Sequence, residues 1–159
     1  MKVTTDDVMF LKMALETARE NIDQGGGPFG AVVVRGNELI SRSGNRVVPN
    51  NDPTAHAEVQ AIRIASSALG TFDLSECTIY SSCEPCPMCL GAIYWSGIKR
   101  VIYSADRHAA AAAGFSDEMI YRELALPYDE RSIEIRQAIA DEGDKVFEKW
   151  EEFPDKIRY

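Results

Sequence analysis

The feature that most restricts the fold is a regular alternation of short strand-like segments with helical ones. Five segments are rich in β-branched and aromatic residues: "AVVVR", "ELISRS", "CTIYSS", "RVIYSA" and "SIEIRQ". Between most of them, apolar residues recur at the spacing of a helix. Strands that alternate with helices pack as a sheet covered by helices. The sequence therefore predicts an α/β fold with three layers, α-β-α, around a five-stranded mixed sheet.

Local signals place the individual elements within this scheme. A helix is expected over residues 6–23, capped by Thr5 and ended by the "QGGGPFG" breaker, which predicts a tight turn. The next two strands are expected to form a hairpin around Gly36-Asn37. The segment between "RVIYSA" and "SIEIRQ" is long enough for a helical crossover, so these two strands are expected to be parallel. A chain of 159 residues predicts a single domain, 1–159, with residues 140–159 as a C-terminal helix and tail.

The net charge of the chain limits the kinds of molecule that it is expected to bind. The chain has 17 Lys and Arg against 25 Asp and Glu, a net charge of −8. Because nucleic-acid binding depends on basic residues that replace counterions, nucleic acid is an unlikely partner, and a small uncharged molecule fits better. No apolar run reaches the length of a membrane span, and no apolar signal segment opens the sequence. We expect a cytoplasmic protein whose four cysteines are thiols or metal ligands.

Three of the four cysteines lie within "SCEPCPMCL", residues 82–90. Cys86 and Cys89 are three apart at the start of a predicted helix, so both thiols lie on one face. Three interpretations compete: a structural zinc site, a redox dithiol and a catalytic zinc site. A structural site needs a second ligand pair, and the other Cys and His residues form no such pair. A redox dithiol would follow the first strand of its βαβ unit and would leave "HAE" at residues 56–58 unexplained.

A catalytic zinc site needs three protein ligands and an open position for water. His56, which is expected in the first turn of another predicted helix, can supply the third ligand. Glu58 lies two residues further on, points away from the direction of His56, and can exchange a proton with a zinc-bound water. The combination of H-x-E with P-C-x-x-C is the signature of zinc-dependent nucleobase deaminases. The sequence thus favours one catalytic Zn²⁺ per chain, with a bound water or hydroxide.

Longer stretches carry a family resemblance. "NDPTAHAEVQAIRIA" and "SSCEPCPMCLGAIYWSGIKRVIYSA" resemble the cytidine-deaminase-like superfamily, in particular tRNA adenosine deaminases and bacterial guanine deaminases. "GGPFGAVVV", "AGFSDEMIYREL" and the aromatic C-terminal tail resemble the guanine deaminases specifically. The resemblance implies a hydrolase that converts guanine to xanthine and ammonia. It implies that His56, Cys86 and Cys89 bind zinc and that Glu58 shuttles protons.

The same resemblance implies roles for further residues. Asp117 would contact the purine and assist proton transfer. The other substrate-binding residues would be Phe29, Asn45, Ala57, Trp95 and Tyr159. The family also implies a homodimer in which the C-terminal segment closes over a site or is swapped between subunits.

Simpler interpretations of these residues remain open. Phe29 and Trp95 fit ordinary core positions, Asn45 fits a turn, and Asp117 fits the first turn of a helix. Tyr159 lies at a terminus, where disorder is common. For His108 we expect no catalytic role.

Alternatives for the function also remain open. They are deamination of guanosine, of a cytosine-type base or of an aminotriazine, a tRNA adenosine deaminase, and a zinc-stapled binding module without catalysis. Cys83 is expected to pack outside the ligand set, because a fourth thiolate would close the position that water needs.

Overall fold

The computed structural model describes residues 2–158, which divide into two units at the boundary between Asp117 and Glu118. The first unit contains a sheet and five helices. Its elements, in chain order, are α1 (Thr5–Asp23), β1 (Gly30–Arg35), β2 (Glu38–Gly44), α2 (Val47–Asn50), α3 (Ala57–Leu69), β3 (Cys77–Cys83), α4 (Pro87–Trp95), β4 (Arg100–Ala105) and α5 (Arg107–Ala112).

The sheet has four strands in the order β2-β1-β3-β4. β1 is antiparallel to both of its neighbours, and β3 is parallel to β4. The β1–β2 hairpin turns at Gly36, whose φ of 60° suits a residue without a Cβ. The mixed sheet lies between α1 on one face and α3 and α4 on the other, so the α/β fold with three layers is confirmed.

The prediction of a fifth strand is wrong. Residues 132–137, "SIEIRQ", have no strand structure, and Ile133 is 71% exposed. The alternation of Ile with charged residues is compatible with a strand, but β-propensity takes effect only where a partner strand and a covering face exist. The expected parallel pairing of this segment with "RVIYSA" is therefore wrong too. The parallel pair of this fold is β3–β4, which α4 connects.

Helix α1 begins one residue earlier than the sequence suggested, because Thr4 rather than Thr5 is its N-cap. The Thr4 hydroxyl accepts a hydrogen bond from the Asp7 amide, and the Asp7 carboxylate accepts one from the Thr4 amide at 2.7 Å. This reciprocal pair satisfies two amides that a helix start otherwise leaves unpaired. Further along, Phe10 and Ala14 pack on one face of the sheet against Val32, Val34 and Tyr80.

The opposite face of the sheet carries α3 and α4. Small residues line the inner side of α3 at a spacing of four, which lets the helix approach the sheet closely. The buried residues of this layer are Ala31, Val33, Ala57, Ala61, Ala65, Leu74, Cys77, Ile79, Ile93 and Ile98. None of the helices within residues 2–158 combines the length and apolar character that crossing a membrane requires.

A buried ion pair connects α1 to the far edge of the sheet. Asp7, 2% exposed, accepts two hydrogen bonds from the Arg100 guanidinium, at 2.6 and 2.7 Å, and a third from the Tyr80 hydroxyl at 2.8 Å. The Arg100 guanidinium holds the pKa of Asp7 well below its usual range. Burial, with the Asp7 charge adding to it, raises the pKa of Tyr80 to about 12. The pair thus fixes α1 to β3 and β4.

The second unit, which begins at Glu118, contains α6 (Glu118–Ala125), a 3-10 turn (Tyr128–Glu130) and α7 (Ala140–Glu152). The Glu123 carboxylate accepts hydrogen bonds from the amide and hydroxyl of Ser132. The rings of Trp150 and Phe153 stack with centroids 6.2 Å apart. No residue from 118 to 158 is buried. The apolar side chains of α7 are therefore available for further packing.

Candidate active site

The candidate active site lies where four chain segments meet at one end of the sheet. β1 begins there, because Gly30 pairs with Gly44 at the end of β2 and Ala31 pairs with Ser81 near the end of β3. β4 ends there as well, since Cys83 pairs with Ala105. The segments that leave this end of the sheet carry the residues that the sequence singled out.

Cys86 is the N-cap of α4, and Pro87 occupies the first helical position, where a missing amide hydrogen costs nothing. The Cys89 amide donates to Cys86 Sγ at 3.5 Å. Both sulfurs therefore lie at the positive end of the α4 dipole, which favours thiolates.

His56 is the N-cap of α3 rather than a residue of its first turn. Its Nδ1 lies 3.5 Å from Cys86 Sγ and 3.5 Å from Cys89 Sγ. The three donor atoms all lie within 4.8 Å of one another, and within residues 2–158 the group contains no fourth Cys, His or carboxylate. One imidazole and two thiolates are donors that zinc prefers. The residues therefore fit a zinc ion held by three protein ligands with one open position.

Hydrogen bonds within this group already favour a thiolate. The thiol of Cys89 and the ring of His56 lower the pKa of Cys86. The hydrogen bond with Cys86 in turn raises the pKa of His56, and the shared proton raises the pKa of Cys89. These hydrogen bonds therefore favour an anionic Cys86 sulfur, and a thiolate is the form in which cysteine binds a metal.

Glu58 lies beside the three donor atoms and not among them. It is buried in the first turn of α3, and its Oε2 lies 3.3 Å from Cys89 Sγ. Burial raises the pKa of this carboxyl above its usual range. A carboxyl group that is easily protonated at this position suits proton transfer next to a metal.

Sequence reasoning missed Ser81, which holds Glu58 in place. Its hydroxyl donates to Glu58 Oε1 at 2.8 Å, and the side chain is almost fully buried in β3. A signal was present, since two adjacent serines end the otherwise apolar segment "CTIYSS". A buried hydroxyl in a strand needs a partner, but the strand pattern alone does not identify it.

The structure brings three of the predicted substrate-binding residues to this end of the sheet. Phe29 directly precedes β1, and its ring packs edge-to-face on Phe115 with centroids 5.0 Å apart. Asn45 directly follows β2, is buried, and accepts the Val47 amide on its Oδ1 at 3.1 Å. Ala57, the first residue of α3, is buried next to His56.

The other predicted residues are placed differently. Trp95 is 72% exposed at the C-terminal end of α4, about 13 Å along the helix from Cys86 at 1.5 Å per residue. Asp117 is half-buried and directly precedes α6. Tyr159 lies outside the described residues. His108 is exposed on α5 and is not one of the three grouped donor residues.

Cys83 lies at the end of β3 and donates to the Asp106 carbonyl at 3.6 Å. Burial, with the charges of Glu58 and Asp117 adding to it, raises the pKa of Cys83 to about 11. The thiol therefore stays neutral and outside the ligand set.

Comparison with known proteins places this site in a family. The sequence profile of the cytidine and deoxycytidylate deaminase zinc-binding region matches residues 4–105. The chain belongs to this deaminase family. The match spans His56, Glu58, Cys86 and Cys89, so the matched zinc-binding region includes the group of residues that could hold the metal.

Individual relatives of this deaminase are similar over different lengths. Guanine deaminase from Bacillus subtilis is 49% identical over 94% of this chain and 97% of its own, and its solved structure has a TM-score of 0.92. A solved guanine deaminase from Nitrosomonas europaea is 35% identical over 74% of this chain and 67% of its own, with a TM-score of 0.67. A tRNA-specific adenosine deaminase from Aquifex aeolicus is 41% identical over 67% of this chain and 72% of its own.

Proposed function

We propose that this chain is a zinc-dependent hydrolase that deaminates guanine to xanthine and ammonia. The observation that carries the proposal is its 49% identity with Bacillus subtilis guanine deaminase over almost the whole length of both chains. The tRNA-specific relative covers a smaller share, 67%, of this chain. The His56, Cys86 and Cys89 group supports the same conclusion, because hydrolytic deamination of a base needs an activated water.

The chemistry divides between the metal and Glu58. Zinc held by His56, Cys86 and Cys89 would supply an activated water, since zinc lowers the pKa of a coordinated water to about 7. The water oxygen adds to C2 of guanine, and the bond from C2 to the amino nitrogen breaks. Glu58 Oε2 accepts one proton from the water and delivers it to ring N3, whose double bond to C2 opens as the oxygen adds. The carboxyl group then carries the second proton, from the hydroxyl now on C2, to the departing nitrogen. Guanine and water are thereby converted to xanthine and ammonia.

Phe29, Asn45 and Ala57 are proposed to hold the base. Asn45 accepts the Val47 amide on Oδ1. Its other side-chain atom, Nδ2, has no hydrogen-bond partner within residues 2–158. A free N–H donor fits a carbonyl oxygen or an unprotonated ring nitrogen of a purine. The Phe29 ring offers an apolar surface on which a flat base can pack. We retain Asp117, Trp95 and Tyr159 as further substrate-binding residues, and Asp117 as a second acid in proton transfer.

An activity screen tests the proposal. Purified zinc-loaded protein is incubated with guanine, adenine, cytosine and their nucleosides, and ammonia is measured. We expect release from guanine and a much smaller release from the other compounds. Release from another base without release from guanine would refute the substrate, and no release from any of them would favour a non-catalytic binding module. A tRNA anticodon stem-loop with adenosine at the wobble position is a useful negative control, because the net charge of −8 opposes binding to a polyanion.

We also propose that this single deaminase domain, 1–159, works as a cytoplasmic homodimer and that residues 140–159 close over a site or are swapped. Exposed aromatic side chains in each unit support self-association. They are Tyr94 and Trp95 on α4 in the first unit, and Phe147 on α7 in the second. The four free thiols support a reducing compartment.

Complementation distinguishes a swapped tail from one that covers its own subunit. Glu58→Gln and Tyr159→Ala chains are each impaired alone and are then mixed under conditions that exchange subunits. If the tail is swapped, the mixed dimer has one intact site and activity returns. Activity that stays at the level of the separate variants would exclude the swap. Sedimentation equilibrium reports the dimer itself.

A further inference from the structure

We propose that Asn21, at the end of α1, is a positioning residue for substrate binding, because its side-chain amide holds both the glycine turn before Phe29 and the backbone of Asn45. This inference rests on the proposed function. It assigns a role to the "QGGGPFG" turn, which the zinc chemistry leaves unexplained.

The Asn21 side chain bridges two segments that come from different parts of the chain. Its Nδ2 donates to the Gly27 carbonyl at 2.7 Å and to the Asn45 carbonyl at 2.8 Å. The Asn21 backbone carbonyl accepts the Gly26 amide at 2.9 Å. Asn21 is only 3% exposed, so water cannot readily replace these bonds.

Two glycines make room for this amide. A Cβ on Gly26 would overlap Asn21 Nδ2 and the Asn45 carbonyl oxygen, and a Cβ on Gly44 would overlap the Asn21 side chain. Neither glycine has a positive φ, so close approach of the backbone to Asn21 is the reason why each lacks a side chain. The amide is therefore packed closely between the turn and the end of β2.

Asn45 is held at three of its four hydrogen-bonding groups. Its amide donates to the Phe29 carbonyl at 3.0 Å, its carbonyl accepts from Asn21, and its Oδ1 accepts from Val47. The group left over is Nδ2, the proposed donor to the base. The Asn45 side chain is anchored at Oδ1, and its backbone is held at both the amide and the carbonyl. The direction of Nδ2 therefore depends on the two hydrogen bonds that Asn21 donates to the Gly27 and Asn45 carbonyls, which we call the clamp.

A short series of contacts connects the clamp to the metal site. The Arg46 amide, one residue after Asn45, donates to the Ala55 carbonyl at 2.8 Å, and Ala55 directly precedes His56. Gly27 also lies against the base-binding residues, since a Cβ there would be 3.4 Å from Asn45 Cγ and 3.5 Å from the Phe29 ring. Asn21 therefore sets the position of both Phe29 and Asn45 relative to α3.

The experiment compares Asn21→Asp with Thr17→Val. Aspartate keeps the shape of the side chain but places an oxygen against two carbonyl oxygens, so both bonds are lost. Thr17 is one turn earlier on the same buried face of α1. Its hydroxyl donates to the Met13 carbonyl of its own helix and, within residues 2–158, to no other group. Thr17→Val thus controls for a general disturbance of α1.

With guanine, we expect Asn21→Asp to raise KM about five- to tenfold, with kcat changed less than threefold. This is the effect of losing one neutral hydrogen bond, the one from Asn45 Nδ2 to the base. Bound zinc should stay at one per chain, and Thr17→Val should leave KM unchanged. In an Asn45→Ala background, Asn21→Asp should have almost no further effect on KM, because the group that it positions is gone. An unchanged KM, additive effects in the double variant, or an equal effect of Thr17→Val would overturn the proposal.

Amide hydrogen exchange keeps this proposal separate from the proposed function. Asn21→Asp should speed exchange in residues 25–30 and 44–47 and leave α4 unchanged, whichever base the wild-type protein deaminates. If the wild-type protein deaminates a base other than guanine, the KM comparison is made with that base. If it deaminates none, the proposed function fails, and unchanged exchange in both segments would still refute the clamp.

Discussion

The hydroxyl of Ser81 donates a hydrogen bond to Oε1 of Glu58, which leaves Oε2 of the same carboxylate facing Cys89. Ser81 belongs to β3 and Glu58 to the first turn of α3, so the bond joins the sheet to the helix that carries His56. One oxygen is therefore anchored to the sheet, and the other is left for the proton transfer that we propose.

Ser81→Ala is expected to lower kcat about 10- to 100-fold, because a hydrogen bond to a charged group contributes about 1.5–3 kcal/mol. Zinc content and KM should change little, since neither the ligands nor the base-binding residues are touched. Ser41→Ala is the matched control. Its buried hydroxyl also joins the sheet to α3, through the Ala61 carbonyl at 2.7 Å, but has no contact with Glu58. Equal kcat losses in the two variants would show that Ser81 acts only through stability.

Glu58→Gln should retain zinc and lose about a hundred- to ten-thousandfold in kcat, the usual contribution of a positioned acid-base group. The amide keeps an oxygen that can accept from Ser81 but cannot carry the proton. Cys86→Ala should instead lose both zinc and activity. Metal analysis together with steady-state kinetics distinguishes the two variants. Full activity in Glu58→Gln would rule out Glu58 as the proton carrier.

Acid should weaken the fold in part through Asp7. Because the pKa of Asp7 is depressed below its ordinary value of 3.8, the unfolded state binds the proton more readily. Its contribution to the free energy of unfolding is therefore complete above about pH 5 and is lost as the pH falls through 3.8 and below. Asp7→Asn should lower that free energy by about 3 kcal/mol at pH 7, the low end for one broken buried pair, and should flatten its dependence on pH between 5 and 3.

Urea unfolding across this pH range measures both effects. Glu16→Gln on the same helix is the control, since Glu16 pairs with Arg19 in solvent and such pairs contribute little. An Asp7→Asn protein with the same pH slope as the wild type would contradict the assignment.

Cys83→Ala is expected to keep one zinc per chain, because the Cys83 thiol is neutral and bonds to a backbone carbonyl away from the three donor atoms. Cobalt substitution gives a direct measurement, since the sulfur-to-cobalt absorption should correspond to two thiolates in both Cys83→Ala and the wild type. A drop in this absorption would place Cys83 on the metal and overturn the ligand set.

Much of the fold was predictable from local patterns. The helix over residues 6–23, the hairpin at Gly36 and the strand that precedes Cys86 follow from periodicity and turn residues, which act over a few positions. The "SIEIRQ" strand was not predictable in the same way, because strand formation also needs a partner edge and a covering helix. α2, four residues at Val47–Asn50, was missed because its length is below that at which helical periodicity can be recognised.

The sequence by itself determined the deaminase family, the chemistry of the donor set and the spacing of His56, Glu58, Cys86 and Cys89, because these depend on residue types and their order along the chain. Only the tertiary structure decided that Ser81 anchors Glu58 and that Asn21 clamps Asn45 to the glycine turn. These contacts join residues 23 and 24 positions apart. Which face of a strand meets which helix depends on sheet order and packing, and no local pattern specifies it.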